Sequence, residues 1–329
     1  MTDATTGSTA KPDPPGPVST RGSRIPESTA LIVVLIVLGI YFSIRSPYFL
    51  GYDNFLNILT AAAIVGIIAA PATLLLVAGQ IDLSVGSGLT FCGIVMAYVT
   101  EHHSLTLGVI AAILAGLLIG AVNGTLVTVV GVNALITTLG TLAAFSGLAK
   151  VLSGGQTVSV NNFGTLGTSR PFLNIPLPVV ILAVVILLFF VIMKYTVYGR
   201  SMYAIGANPV AARLAGIRSG HLIFGAFLIS GLFVSLAALV NVSQLSAAST
   251  LSGVGLELSV VTAVILGGAS LSGGRGTVVG TILGLLIIGV LNNGLTLLNI
   301  NTFWQEVARG VLLILAVSFD QLRIRLARR

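Results

Sequence analysis

The sequence predicts an all-α, polytopic integral membrane protein of about ten transmembrane helices. Three observations lead there. Charged residues make up 8% of the chain, against roughly 25% in an ordinary soluble protein. Hydrophobic residues make up 55% and gather into runs of bilayer-spanning length. Glycine occurs 39 times, the abundance expected where membrane helices pack closely. The one cysteine, Cys92, excludes an internal disulfide framework and a multi-cysteine metal site. In the apolar run Leu89–Val99 it reads as a buried, inert thiol.

Residues 1–28 are rich in Pro, Ser, Thr and Gly. They cannot bury enough apolar surface to order themselves, and read as a disordered cytoplasmic tail rather than a cleaved signal. Residues 29–329 read as one membrane domain. Its first span is Thr29–Ile44. The charge-free interval between Asp53 and Asp82 holds a second, near Phe55–Ala78, with Pro71 a tolerated kink inside it. The third runs from about Leu83 to Val99 and is closed by Glu101-His102-His103. From Ser104 to Ala149 no charge appears, too long a stretch for one crossing, and Gly131-Val132-Asn133 is the turn between spans four and five. After the polar Ser153–Arg170 loop come span six at Pro178–Met193 and span seven at Leu222–Val242. Span eight, Leu256–Leu266, is short enough to be broken or re-entrant. Thr277–Leu298 and Phe303–Phe319 complete the ten.

Basic residues orient the chain. One face holds Lys11, Arg21, Arg24, Lys194, Arg200, Arg213, Arg218, Arg275, Arg323, Arg325, Arg328 and Arg329; the other holds Arg45, Lys150 and Arg170. Twelve against three places both termini in the cytoplasm. The net charge of +7 is spread over tails and short loops with no interleaved aromatics, which excludes a nucleic-acid surface. Ala115–Gly124 in span four also echoes Leu283–Gly294 in span nine. The two spans run in opposite directions, so the echo predicts an inverted repeat.

The loop 194–220 is the most informative cytoplasmic segment. Asn208-Pro209 marks a helix start, with Asn capping and Pro at the first helical position. Val210–Leu214 continues the helix, and Gly216 ends it in a left-handed conformation. Small residues Ala211, Ala212 and Ala215 give it a thin surface that another protein can approach; spacing alone allows a plain connector equally well. Within this loop, Tyr198-Gly199-Arg200, Ala204-Ile205-Gly206-Ala207-Asn208-Pro209 and Ala211-Ala212-Arg213-Leu214-Ala215-Gly216-Ile217 resemble the coupling loop of the ribose/xylose/arabinose class of ABC importer permeases. Gly79-Gln80-Ile81-Asp82-Leu83-Ser84-Val85-Gly86-Ser87 resembles that family's G-x-I-D-L-S-V-G-S segment, with Gln80 where Gly is often seen. Leu266-Gly267-Gly268, Ser270-Leu271 and Gly273-Gly274-Arg275-Gly276-Thr277 resemble its second glycine-rich segment.

The resemblance spans roughly Ser46–Phe319 and implies a type II importer-like fold with a division of labour. A second permease copy, most simply in a homodimer, would complete the pathway through membrane lipid of the bacterial inner membrane. Separate ATP-binding cassette ATPase subunits would use ATP and Mg, and an extracellular or periplasmic sugar-binding protein would deliver a monosaccharide. Gly206, Ala207, Asn208, Pro209, Ala211, Ala212, Arg213, Leu214 and Gly216 would meet the ATPase. The chain would carry no cofactor, metal or catalytic residue of its own. A Walker A loop needs Gly before Lys, and Lys11, Lys150 and Lys194 follow Ala10, Ala149 and Met193.

The polar residues within apolar spans allow two roles each. Asp82 or Ser84 caps span three, and Ser272 caps span nine, or these segments line the pathway. Asn123, Asn292 and Asn293 must each meet a helix neighbour or water. Glu257 is an intramembrane charge, and Glu306 and Arg309, three apart on one helix face, can neutralise each other. Proton coupling through Glu257 or Glu306 would make the chain a secondary transporter instead. Import of nucleosides, autoinducers or branched-chain amino acids by the same family is a further reading.

Overall fold

The computed structural model describes residues 27–171 and 174–327. The expected tail lies outside them but for Glu27 and Ser28, with which the first helix begins. A helix stands on each of the ten expected segments: α1 Glu27–Arg45, α2 Tyr52–Val77, α3 Val85–His102, α4 Leu105–Thr125, α5 Ala134–Ser153, α7 Leu177–Tyr195, α10 Ser219–Leu245, α11 Leu256–Leu266, α12 Val278–Leu297 and α13 Thr302–Ala327. Between them lie the short helices α6 Thr165–Thr168, α8 Val197–Ala207 and α9 Pro209–Leu214. Among the described residues, six helices are long and apolar enough to cross a membrane: α2, α4 with its extension to Val130, α5, α7, α10 and α12. The apolar parts of α1 (Thr29–Arg45) and α11 are shorter. At about 1.5 Å per residue, α11 reaches roughly 16 Å, half the hydrocarbon thickness.

Local sequence explains most boundaries. The chain between α4 and α5 passes through a π-helical turn, Leu126–Val130, then Gly131 at φ +85°, and the Asn133 side chain caps α5 by accepting from Leu135 N at 2.9 Å. Pro71 stands within α2, buried. The all-α expectation needs one correction. Val158–Ser159 (β1) pairs antiparallel with Ala247–Ala248 (β2), joining the loop after α5 to the one before α11. Two-residue strands carry too little alternation to be read from sequence.

Helices α2, α3, α10 and α11 form the centre, with α10 against α2, α3 and α4, and α2 against α7, α11 and α12. Glycine sets the closest approaches. A Cβ at Gly116 would meet the Gly231 carbonyl across the α4–α10 contact, and one at Gly231 would meet the Gly116 carbonyl. The same reciprocity holds for Gly267 and Gly280, which bring the end of α11 against α12. Without side chains between them, backbones pack directly, and dispersion replaces the hydrophobic drive that lipid does not supply.

Candidate functional site: a glycine junction and a buried polar network

The Asn208–Gly216 segment folds as its residues dictate. Asn208 Oδ1 accepts from Val210 N at 3.1 Å and Ala211 N at 3.0 Å, Pro209 occupies the first turn, and Gly216 sits at φ +82°. The result, α9, shows most of its surface. Val210 (70%) and Leu214 (85%), four residues apart, are exposed, as are Ala211 and Arg213, while Ala212 is buried underneath. Two bulky apolar side chains on a two-turn helix outside the spans present a contact surface.

Helix α8 is not anticipated by sequence reading, because Gly199 and Gly206 depress its helix propensity. The signal was present: Thr196 caps it by accepting from Gly199 N at 3.1 Å, and Gly199, Met202 and Ile205 repeat at threes along its buried face. Tyrosines moor it. Tyr198 donates to the Leu222 carbonyl at 2.8 Å and Tyr203 to the Gly276 carbonyl at 2.7 Å. Burial raises both phenols, Tyr198 to about 12, so each stays a neutral donor at physiological pH.

At the far end of α8, three glycine-bearing segments meet. Gly274 N donates to the Val77 carbonyl at 2.8 Å. A Cβ on Gly206 would fall on that carbonyl oxygen and 2.6 Å from Gly274 N. A Cβ on Gly273 would lie 2.9 Å from Gly79 N and 3.1 Å from Gly206 Cα. Gly273 and Gly274, at φ +79° and +75°, make the turn that admits this approach. The end of α2, the loop before α12 and α8 are thus locked backbone to backbone, with α9 one residue beyond.

Deeper in the bundle, Asp82 and Ser84 do not cap α3 as expected. Ser84 occupies the N-cap position, but its side chain accepts no hydrogen bond from the helix amides. Its hydroxyl and amide instead donate to Asp82 Oδ1 at 2.6 and 3.0 Å, and Ser230 of α10 donates to Oδ2 at 3.1 Å. Asn123 Nδ2 donates to Ser84 Oγ at 2.8 Å, and Thr141 of α5 donates to Asn123 Oδ1 at 2.8 Å. All five are buried. The chain of donors runs from α5 through α4 to the Asp82 side chain and ties four elements together.

The other intramembrane polar residues separate. Asn293 exchanges hydrogen bonds with Asn54 at 2.8 and 3.1 Å, joining α12 to α2. Asn292 Oδ1 is buried without a partner among the described residues. The cap of α12 is Thr277, accepting from Gly280 N at 3.0 Å, rather than Ser272. Glu306 and Arg309 do not form the expected pair: Glu306 is exposed, and Arg309 donates to Ser259 of α11 at 2.9 Å. Glu257, half-buried in the first turn of α11, lies against Gly86, where a Cβ would strike its carboxylate.

A family model described as branched-chain amino acid transport system / permease component matches residues 54–317. The chain belongs to this family. It is a transport permease, a membrane component and not an enzyme. It is 38% identical to the ribose import permease protein RbsC of Escherichia coli K12 over 89% of this chain and 93% of that protein. It is 36% identical to the L-arabinose ABC transporter permease protein AraH of Azospirillum brasilense, over 93% and 92%. With the ribose import permease protein RbsC of Bacillus subtilis 168 it shares 38% identity over 87% and 90%. No solved structure matches the chain. The match encloses all three glycine-bearing segments of the junction.

Proposed function

We propose that the permease is the membrane subunit of an ATP-driven importer of a monosaccharide, and that α9 is the helix on which a separate ATPase acts. The observation that carries this is the junction: an exposed, capped α9 attached to α8, which is stitched by backbone contact to the end of α2 and the loop before α12. A push on α9 therefore reaches two spans without passing through flexible side chains. The sugar class rests on the names of the ribose and arabinose relatives.

The finer architecture belongs to the same proposal. Ten spans put both termini and α9 in the cytoplasm, in the bacterial inner membrane. The contacts support an inverted repeat of α2–α5 and α10–α13, because α10 packs on α3 and α4 as α2 packs on α11 and α12. Likewise α3 meets α4 and α5 as α11 meets α12 and α13. The first turn of α3 and the turn before α11 cross through Gly86 and Gly253, each of which faces the other's carbonyl. In a homodimer, with a sugar-binding protein outside, Glu257 at this crossing is the polar group best placed to meet solute. Asp82, Ser84 and Asn123 are closed on one another and serve to hold the spans together.

The test is reconstitution of the chain with its ATPase and binding protein in proteoliposomes. Labelled ribose or arabinose should accumulate only with internal ATP and persist with an ionophore. Accumulation driven by an ion gradient without ATP would establish the secondary-transporter reading, and ATP-driven uptake of leucine but no sugar would move the substrate class.

A further inference from the structure

Lys194, Arg200, Arg213, Arg218 and Arg275 lie at the end of the bundle where α7 ends and α10 and α12 begin. Asp53, Glu101 and Glu306 belong to the opposite end, Asp82 and Glu257 lie within the bundle, and Glu27 and Asp320 stand on this end in α1 and α13, away from the residues that line the groove described next. Lys194 and Arg200 flank a groove of about 600 Å³ between the last turn of α7, α8 and the first turn of α12. Phe190, Tyr203 and Val279 form its walls.

The groove has two chemistries. Lys194 Nζ stands 5.1 Å from the Phe190 ring and 5.3 Å from that of Tyr195, and Arg200 reaches the Tyr195 carbonyl at 3.5 Å, so both cations are gathered at the end of α7. The positive end of the 20-residue helix α12 faces the same space. Below, α7 continues the lining of Phe190 into exposed Leu187 and Val191, an apolar stripe on a membrane helix. A soluble anion would satisfy the cations alone. A lipid satisfies both parts.

We infer that this groove holds an anionic phospholipid, its phosphate between Lys194 and Arg200 and one acyl chain along α7. Basic grooves between membrane helices at the bilayer surface are suited to such headgroups. The site anchors the joint between α7 and α8, one turn before the Tyr203 mooring.

The experiment reconstitutes the intact chain in phosphatidylcholine vesicles containing phosphatidylglycerol, extracts it in mild detergent and counts retained lipid by native mass spectrometry. Wild type should retain phosphatidylglycerol selectively. In Lys194→Gln/Arg200→Gln the preference should fall roughly 25-fold, about fivefold for each cation removed. Lys194→Arg/Arg200→Lys and, at the other end of the bundle, Lys150→Gln should keep it. If the double variant aggregates, the single Arg200→Gln variant takes its place, with a fivefold loss expected. Equal retention of the two lipids by wild type, or unchanged selectivity in the glutamine variants, would overturn the inference. So would stabilisation by inorganic phosphate as large as by phosphatidylglycerol. Loss of ATPase co-purification with lipid retention intact would assign the groove to a protein partner instead.

Discussion

Replacing Gly206 by alanine measures how tightly the junction behind α9 is packed. Gly206 lies inside α8, so the added methyl favours the helix by up to about 1 kcal/mol. Against this, the new Cβ would coincide with the Val77 carbonyl and approach Gly274 N to 2.6 Å, the two atoms joined by the 2.8 Å hydrogen bond. Both are backbone atoms, and no rotamer change relieves the overlap. Overpacking of this kind costs about 1–3 kcal/mol, and loss of the hydrogen bond about 1 more. The net is about 1–3 kcal/mol against the junction, enough to lift α8 and α9 from the end of α2. The assay is the melting temperature of the purified chain beside ATP-driven uptake in proteoliposomes. Gly147→Ala on α5 is the control, because a Cβ there meets nothing within 4 Å. Gly206→Ala should melt about 1–4 °C lower and transport poorly, while the control behaves as wild type. Indistinguishable behaviour of the two variants would refute the claim that α8 is locked to α2 without side chains between.

Three other outcomes follow from the same geometry. Asn208→Ala should remove two capping hydrogen bonds and cost about 1 kcal/mol of α9 stability, read as faster amide exchange confined to Val210–Leu214; uniform exchange across the loop would contradict it. Asp82→Ala strands the donors of Ser84 and Ser230 and should cost about 1–3 kcal/mol, with Asp82→Asn milder; equal melting temperatures for wild type and Asp82→Ala would show the network to be dispensable. A double-mutant cycle of Asn54→Ala and Asn293→Ala should give a coupling of about 1 kcal/mol in detergent, whereas additive losses would mean the pair contributes nothing.

The sequence by itself determined what depends on neighbours along the chain. Hydropathy placed the helical segments, six of them among the described residues long and apolar enough to cross a membrane, because a run of apolar residues marks such a segment whatever surrounds it. Asn208-Pro209 and Gly216 determined α9 completely, since cap, first-turn proline and left-handed glycine act within a few residues of one another. The polar residues Asp82, Ser84, Asn123 and Asn293 were legible as residues needing partners. Which partners they take was decided only by tertiary structure. Asp82 could have capped α3, yet it accepts from Ser230, 148 residues away, because glycines on α4 and α10 bring those helices beside the start of α3. Arg309 passes over Glu306, one turn back, for Ser259 on the helix packed against it. The cap of α12 moved from Ser272 to Thr277 because the intervening residues are used in the turn at Gly273 and Gly274 that meets Val77 and Gly206. In a bilayer the nearest polar group in space satisfies a buried donor, and proximity between helices is set by backbone approach at glycine, a property of pairs of helices that no single segment contains.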